Sequence, residues 1–124
     1  MCYMTLEEIL RVHFQLIEDF GGAHDVRAER RLLSVIEAPQ QMIFGVAQYP
    51  TAYEKAAVYI CNIVGDHPFA DGNKRTAITM VDIFLARNGV RLAATSKELE
   101  AFVAGVATDH IDVPAIAAWL RLHS

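Results

Sequence analysis

Apolar residues recur along the first twenty positions at the three-and-four spacing of a helix: Leu6, Ile9, Leu10, His13, Leu16, Ile17 and Phe20 share one stripe that stops at Gly21-Gly22. Thr5, followed three residues later by Glu8, supplies a capping box at its start, so the pattern predicts a first helix ending at Phe20. A second stretch puts Leu32, Leu33 and Ile36 on its stripe and Arg27, Glu29, Arg30 and Arg31 toward water. It predicts a helix capped by Asp25, running through Glu37 and stopped by Pro39. The periodicity then lapses. QQMIFGVAQYPT, residues 40–51, contains Gly45 and Pro50 and reads as an irregular or weakly extended flap.

The middle of the chain is its most apolar part. AYEKAAVYICNIV, residues 52–64, predicts a helix ending near Gly65. In KRTAITMVDIFLARNGV, residues 74–90, Ala77, Ile78, Met80, Val81, Phe84 and Leu85 cover most of a helical circumference, the pattern of a buried central helix closed by Gly89. Ser96 is placed to cap a helix carrying Leu99, Phe102, Val103 and Val106. Asp112, with Pro114 in the first turn, opens a last helix carrying Ile116, Trp119 and Leu120. No repeat or linker appears, nor an alternating run long enough for a sheet. The expected fold is all-α, with six helices in one domain over residues 1–124.

Composition narrows the function classes. A chain of 124 residues with 53% hydrophobic and 21% charged positions has enough apolar surface for its own core. The net charge of -4 and the scattering of Lys and Arg argue against a nucleic-acid partner, which needs clustered cations facing phosphates. The apolar stretches are interrupted by Asn62 and Asp82, short of the roughly 18 uninterrupted residues a membrane span requires. Cys2 and Cys61 lie far apart, without zinc or disulfide-framework spacing, and the amino terminus carries no secretory pattern. A cytoplasmic protein with no membrane partner is expected.

The candidate chemistry is concentrated in HPFADGNKR, residues 67–75, between the two most apolar helices. Pro68 and Gly72 break helical geometry, and Pro68 biases His67 toward extended backbone, so the stretch reads as a loop feeding a helix amino terminus. The first turn of a helix offers unpaired N–H groups and the positive end of the helix dipole, which together hold an anion such as phosphate. Gly72 lets a ligand approach the backbone, the Asn73 amide can donate to a phosphate oxygen, Lys74 adds a point charge and Arg75 a bidentate fork. Asp71 at the rim suits Mg2+, which takes one or two carboxylates together with phosphate oxygens and water. His67 is an imidazole able to take the proton of an attacking hydroxyl.

Each of these residues also has a purely structural explanation. Asp71 or Asn73 can cap the helix, His67 can bond the last carbonyls of the helix before it, and Phe69 reads as a buried anchor. Capping explains neither the histidine nor the two cations. The stretch also fits the His-x-x-x-Asp-Gly pattern of coenzyme A-dependent acyltransferases, but those enzymes are larger and contain sheets, and their pattern does not call for Asn-Lys-Arg.

HPFADGNKRTA resembles the signature of the Fic/Doc (fido) family, His-x-Phe-x-Asp/Glu-Gly/Ala-Asn-Gly/Lys-Arg, and TLEEIL, FGG, YEKAA and FLARNGV extend the likeness to the death-on-curing (Doc) branch over nearly the whole chain. The resemblance implies that His67 is the general base, Asp71 the Mg2+ ligand, Gly72 and Asn73 an anion hole, and Lys74 and Arg75 phosphate contacts, with Phe69 as core anchor. In the family, glycine after the motif's asparagine accompanies transfer of AMP to a protein hydroxyl. Lysine, as at Lys74, accompanies transfer of the γ-phosphate of ATP.

The resemblance therefore implies a type II toxin that phosphorylates a threonine of elongation factor Tu and halts translation. AMP transfer is the alternative, and an inactive binding scaffold is an alternative of another class. The family's built-in brake is a Ser/Thr-x-x-x-Glu motif. SVIE at Ser34–Glu37 is one residue too short for it and TLEE at Thr5–Glu8 is a capping box, so the implied restraint is a separate Phd-like antitoxin whose disordered tail folds into a groove.

Overall fold

A computed structural model describes residues 1–124. Six helices, α1 (Leu6–Phe20), α2 (Glu29–Glu37), α3 (Ala52–Asp66), α4 (Asn73–Arg87), α5 (Ser96–Asp109) and α6 (Val113–Leu122), carry the fold, as the periodicity predicts. A short 3-10 turn (Ala38–Gln40) and two two-residue strands, β1 (Met42–Ile43) and β2 (Val46–Ala47), lie between α2 and α3. No helix is long and apolar enough to cross a membrane.

The helix starts follow local chemistry. Thr5 and Glu8 form the expected capping box on α1, and Thr95 and Glu98 form a second one on α5, so the cap of α5 is Thr95, with Ser96 its first helical residue. Asp112 caps α6 by accepting from the Ala115 N–H. Glu8 also pairs with Arg87 at the far end of α4, and that guanidinium is the main reason the Glu8 carboxyl is lowered to about 2.

The expectation for α2 is corrected. It begins three residues later than Asp25 would place it, because residues 25–28 are drawn into extended pairing with the loop after α3: Val26 bridges Phe69 and the Arg27 N–H donates to the Pro68 carbonyl at 2.7 Å. Its buried stripe is Leu32 and Val35, and Leu33 faces outward. The aperiodic segment forms a small antiparallel hairpin pairing Met42 with Ala47 and Ile43 with Val46. Phe44 at its tip is fully exposed with φ +50°.

Two helices share the centre. On α4, Ala77, Met80, Val81, Phe84 and Leu85 are buried, as the all-round pattern predicts. The adjoining α3 is buried on as many sides, with Ala56, Ala57, Tyr59, Ile60, Ile63 and Val64 inside, and α2, α5 and α6 all pack on it. This central pair positions the site, because the chain leaves the core at the end of α3 and re-enters it at the start of α4 within six residues, His67–Gly72. Both ends of the loop are therefore fixed by buried helices.

Candidate functional site

The loop is held from three directions. Phe69 points into the core, is completely buried and stacks on the His13 ring of α1, with centroids 3.7 Å apart and planes 7° from parallel. His13 Nε2 lies 2.8 Å from the Asp71 carbonyl oxygen. A carbonyl only accepts, so this nitrogen carries the proton. Burial lowers the His13 pKa, outweighing the hydrogen bond to the Asp71 carbonyl, which favours the charged ring. From the α1–α2 connection, the Ala23 N–H donates to Asp71 Oδ2 at 2.8 Å.

Asn73 closes the loop on itself. Its Oδ1 accepts from the Phe69 N–H at 3.1 Å and its Nδ2 donates to the Phe69 carbonyl at 2.9 Å. The side chain is buried in that role. This corrects the expectation that the Asn73 amide faces a phosphate: two otherwise orphaned backbone groups of Phe69 claim it, and leaving them unpaired in the interior would cost on the order of 1–3 kcal/mol each. What Asn73 presents outward is its backbone N–H. Gly72 is likewise required for a different reason from the one expected. Its φ is +78°, and a Cβ there would sit 3.2 Å from Ile17 Cδ1, so the close approach it permits is to α1.

His67 also departs from expectation. It adopts left-handed backbone, φ +47° and ψ 60°, rather than the extended geometry favoured before proline. The closing turn of α3 wins: the His67 N–H donates to the Ile63 carbonyl at 3.2 Å, and the chain must reverse at once to bring Phe69 under α1. A histidine in this region is held at a cost of order 1–3 kcal/mol. The imidazole is exposed at the rim and engages no other side chain, so it is oriented by its strained backbone and free at its tip.

At the start of α4 the first intrahelical bond runs from the Thr76 N–H to the Gly72 carbonyl at 2.9 Å. The N–H groups of Asn73, Lys74 and Arg75 are unpaired, and no side chain caps them. Lys74 and Arg75 are exposed and neither is paired with a carboxylate. The Arg75 guanidinium lies over the Phe20 ring, 4.2 Å from its centroid, which holds the fork beside the helix end. A cavity of about 430 Å³ opens here, lined by His67, Asp71, Gly72, Lys74, Arg75 and Glu100 among others. Unpaired amides, the positive end of the helix dipole and two cations without a carboxylate partner meet there, in a space of the size small molecules occupy.

No group of three or more potential metal-binding side chains exists in the chain. Asp71 and Glu100 are the two carboxylates lining the cavity, and Asp71 is the one expected to hold a metal. One of its oxygens is taken by Ala23, and the other is unpaired beside the cavity. A single carboxylate fits Mg2+, which accepts phosphate oxygens and water for its remaining positions.

Sequence reasoning brought together His67, Asp71, Gly72, Asn73, Lys74 and Arg75, and all of them line this one cavity. It missed three contributors. His13 was absorbed into an apolar stripe, although a histidine on a buried face must find a polar partner, and that requirement was the available signal. Phe20 appeared as the last member of the same stripe. Glu100, from α5, reaches the cavity wall across the fold, and nothing local in the sequence announces it.

An all-α fold whose central helix presents an uncapped amino terminus, with Lys74 and Arg75 beside it, to a histidine-bearing loop defines the class of protein. The chain belongs to the Fic/DOC family, whose model matches residues 3–85. It is 39% identical over 103 residues to "Toxin Doc" of Mycolicibacterium smegmatis, covering 82% of this chain and 79% of that protein. It is 31% identical over 121 residues to "Protein kinase doc" of Escherichia phage P1, covering 98% and 94% of the two chains.

Proposed function

We propose that the protein is a Doc-like toxin that transfers the γ-phosphate of ATP to a protein hydroxyl, with elongation factor Tu as the acceptor and a Phd-like antitoxin as its separate restraint. The observation that carries the reading is the uncapped first turn of α4, with Lys74 and Arg75 free beside it and His67 poised at the rim. The relative named a protein kinase supports the reaction class.

Phosphoryl transfer asks a protein mainly for positioning and charge neutralisation. The N–H groups of Asn73, Lys74 and Arg75 receive the oxygens of the transferred group, while Lys74 and Arg75 offset charge on the phosphates behind it. Asp71 would hold Mg2+, which would supply positive charge to offset the phosphate oxygens. His67 takes the proton of the acceptor hydroxyl as its oxygen bonds to the γ-phosphorus. The bond between that phosphorus and the bridging oxygen breaks, and ADP leaves with the electron pair. Anchoring by Phe69, His13 and Ala23 keeps these groups in place before the substrate arrives.

Lys74 carries the choice between moving phosphate and moving AMP. Incubation with elongation factor Tu and ATP labelled at either the γ or the α position is expected to pass label only from the γ position. Label passing from the α position alone would replace the phosphotransferase reading with AMP transfer.

A further inference from the structure

A second cavity, of about 530 Å³, also borders His67, between the end of α3 and the α5–α6 connection. Its lining is of a different kind. Cys61, Val64, Val106, Ala107 and Ile111 make it mostly apolar, and it contains no lysine or arginine. Asp112 is its one carboxylate, and the Cys61 thiol in its wall is raised by burial and by the nearby carboxylates of Asp66 and Asp112. His67 is the only residue bordering both this cavity and the cationic one.

We propose that this second cavity is the acceptor subsite, receiving an apolar side chain next to the modified hydroxyl, with a cationic residue of the same acceptor segment facing Asp112. The proposal rests on the transferase reading above. A base that takes the acceptor's proton must touch the acceptor, and in-line displacement brings that acceptor in opposite the leaving group. With the phosphates in the α4 cavity, the second cavity is the other space that His67 borders. Charge separates the two occupants. The first cavity sets Lys74, Arg75 and the unpaired α4 amides against the carboxylates of Asp71 and Glu100, whereas the second holds Asp112 and His110 with no lysine or arginine, so a nucleotide is better placed in the first and a basic peptide segment in the second. Apolar walls that can bury one side chain supply the rest of the recognition.

Two substitutions test this outside the catalytic groups. Ala107→Phe fills the cavity from α5, and Asp112→Asn removes its charge while keeping a side chain that caps α6 equally well. Steady-state transfer from ATP to elongation factor Tu is the readout, with helicity by circular dichroism as the folding control. Ala107→Phe is expected to raise the acceptor KM at least tenfold and to leave the ATP KM within twofold of wild type. Asp112→Asn is expected to raise the acceptor KM severalfold and flatten its dependence on salt. A short peptide with threonine between lysine and valine is expected to inhibit transfer better than one with threonine between glutamate and glycine.

An unchanged acceptor KM in both variants overturns the proposal, as does a rise in the ATP KM instead, which would make the cavity a nucleoside slot. A wild-type protein that binds ATP but labels no acceptor overturns the transferase reading itself. Loss of helicity in Ala107→Phe passes the decision to Asp112→Asn and the peptide pair.

Discussion

Replacing His67 with glycine is expected to lower phosphate transfer by about 10²–10⁴-fold, the usual contribution of a general base, while making the protein more stable. The two effects share an origin. His67 occupies left-handed backbone at the end of α3, a region glycine enters without steric penalty, so the substitution releases strain of about 1 kcal/mol. For a chain of this size that corresponds to a rise in Tm of about 4 °C. His67→Asn provides the companion case, because asparagine tolerates the same backbone but is not a base. It should lose transfer equally and hold its Tm. Thermal unfolding followed beside a transfer assay checks both, and a His67→Asn protein that transfers phosphate at the wild-type rate would exclude catalysis by this imidazole.

Phe69→Ala is the substitution expected to harm the fold most. The ring is fully buried, stacked on His13 and enclosed by the loop whose backbone Asn73 clamps. Removing it deletes a large buried side chain and leaves a cavity that helices fixed at both ends cannot close, a loss of about 3–5 kcal/mol. Against a total stability of about 5–15 kcal/mol for a domain, that leaves a protein near its unfolding threshold. Urea titration should show the midpoint falling sharply with little change in slope, because the surface exposed on unfolding stays nearly the same. Phe69→Leu should recover more than half of the loss. A Phe69→Ala protein within 1 kcal/mol of wild type would mean the loop is held by its hydrogen bonds alone.

These two residues also mark what could be read from the sequence and what could not. Phe69 as an anchor and the all-round burial of α4 were legible because burial leaves a direct trace in residue type and spacing. The loop character of His67–Gly72 was legible because proline and glycine restrict backbone locally. The left-handed turn at His67 was not, since the proline that follows biases it the other way and only the demands of the α3 end and the α1 contact reverse that bias. The late start of α2 escaped for the same reason: Asp25 is a good cap in isolation, but its segment is claimed by pairing with the loop. Asn73 chose between two partners, a ligand and the Phe69 backbone, and sequence alone does not rank them. The weak hairpin at Met42–Ala47 has too few residues to show alternation.

The loop and the first turn of α4 thus present three unpaired backbone N–H groups to the cavity. The site's specific side chains divide into those that hold the loop, Phe69, Asn73 and His13, and those that remain free beside the cavity, His67, Lys74 and Arg75. That division explains why nine consecutive residues can combine structure and chemistry: Pro68, Phe69 and Asn73 are buried, whereas His67, Asp71, Lys74 and Arg75 stay exposed as the chain turns from α3 into α4. At Gly72 a side chain is expected to be strained, because φ is +78° and a Cβ would sit 3.2 Å from Ile17 Cδ1.

The central claim is that the first turn of α4 holds the phosphates of the nucleotide. Titration of the isotope-labelled protein with ATP and Mg2+, followed through its backbone amide NMR signals, tests it most directly. The amides of Asn73, Lys74 and Arg75 are predicted to show the largest shifts, with those of Val106 and Ile111 at the second cavity nearly unmoved. Saturable shifts centred on Val106 and Ile111, with the α4 amides unchanged, would contradict the account.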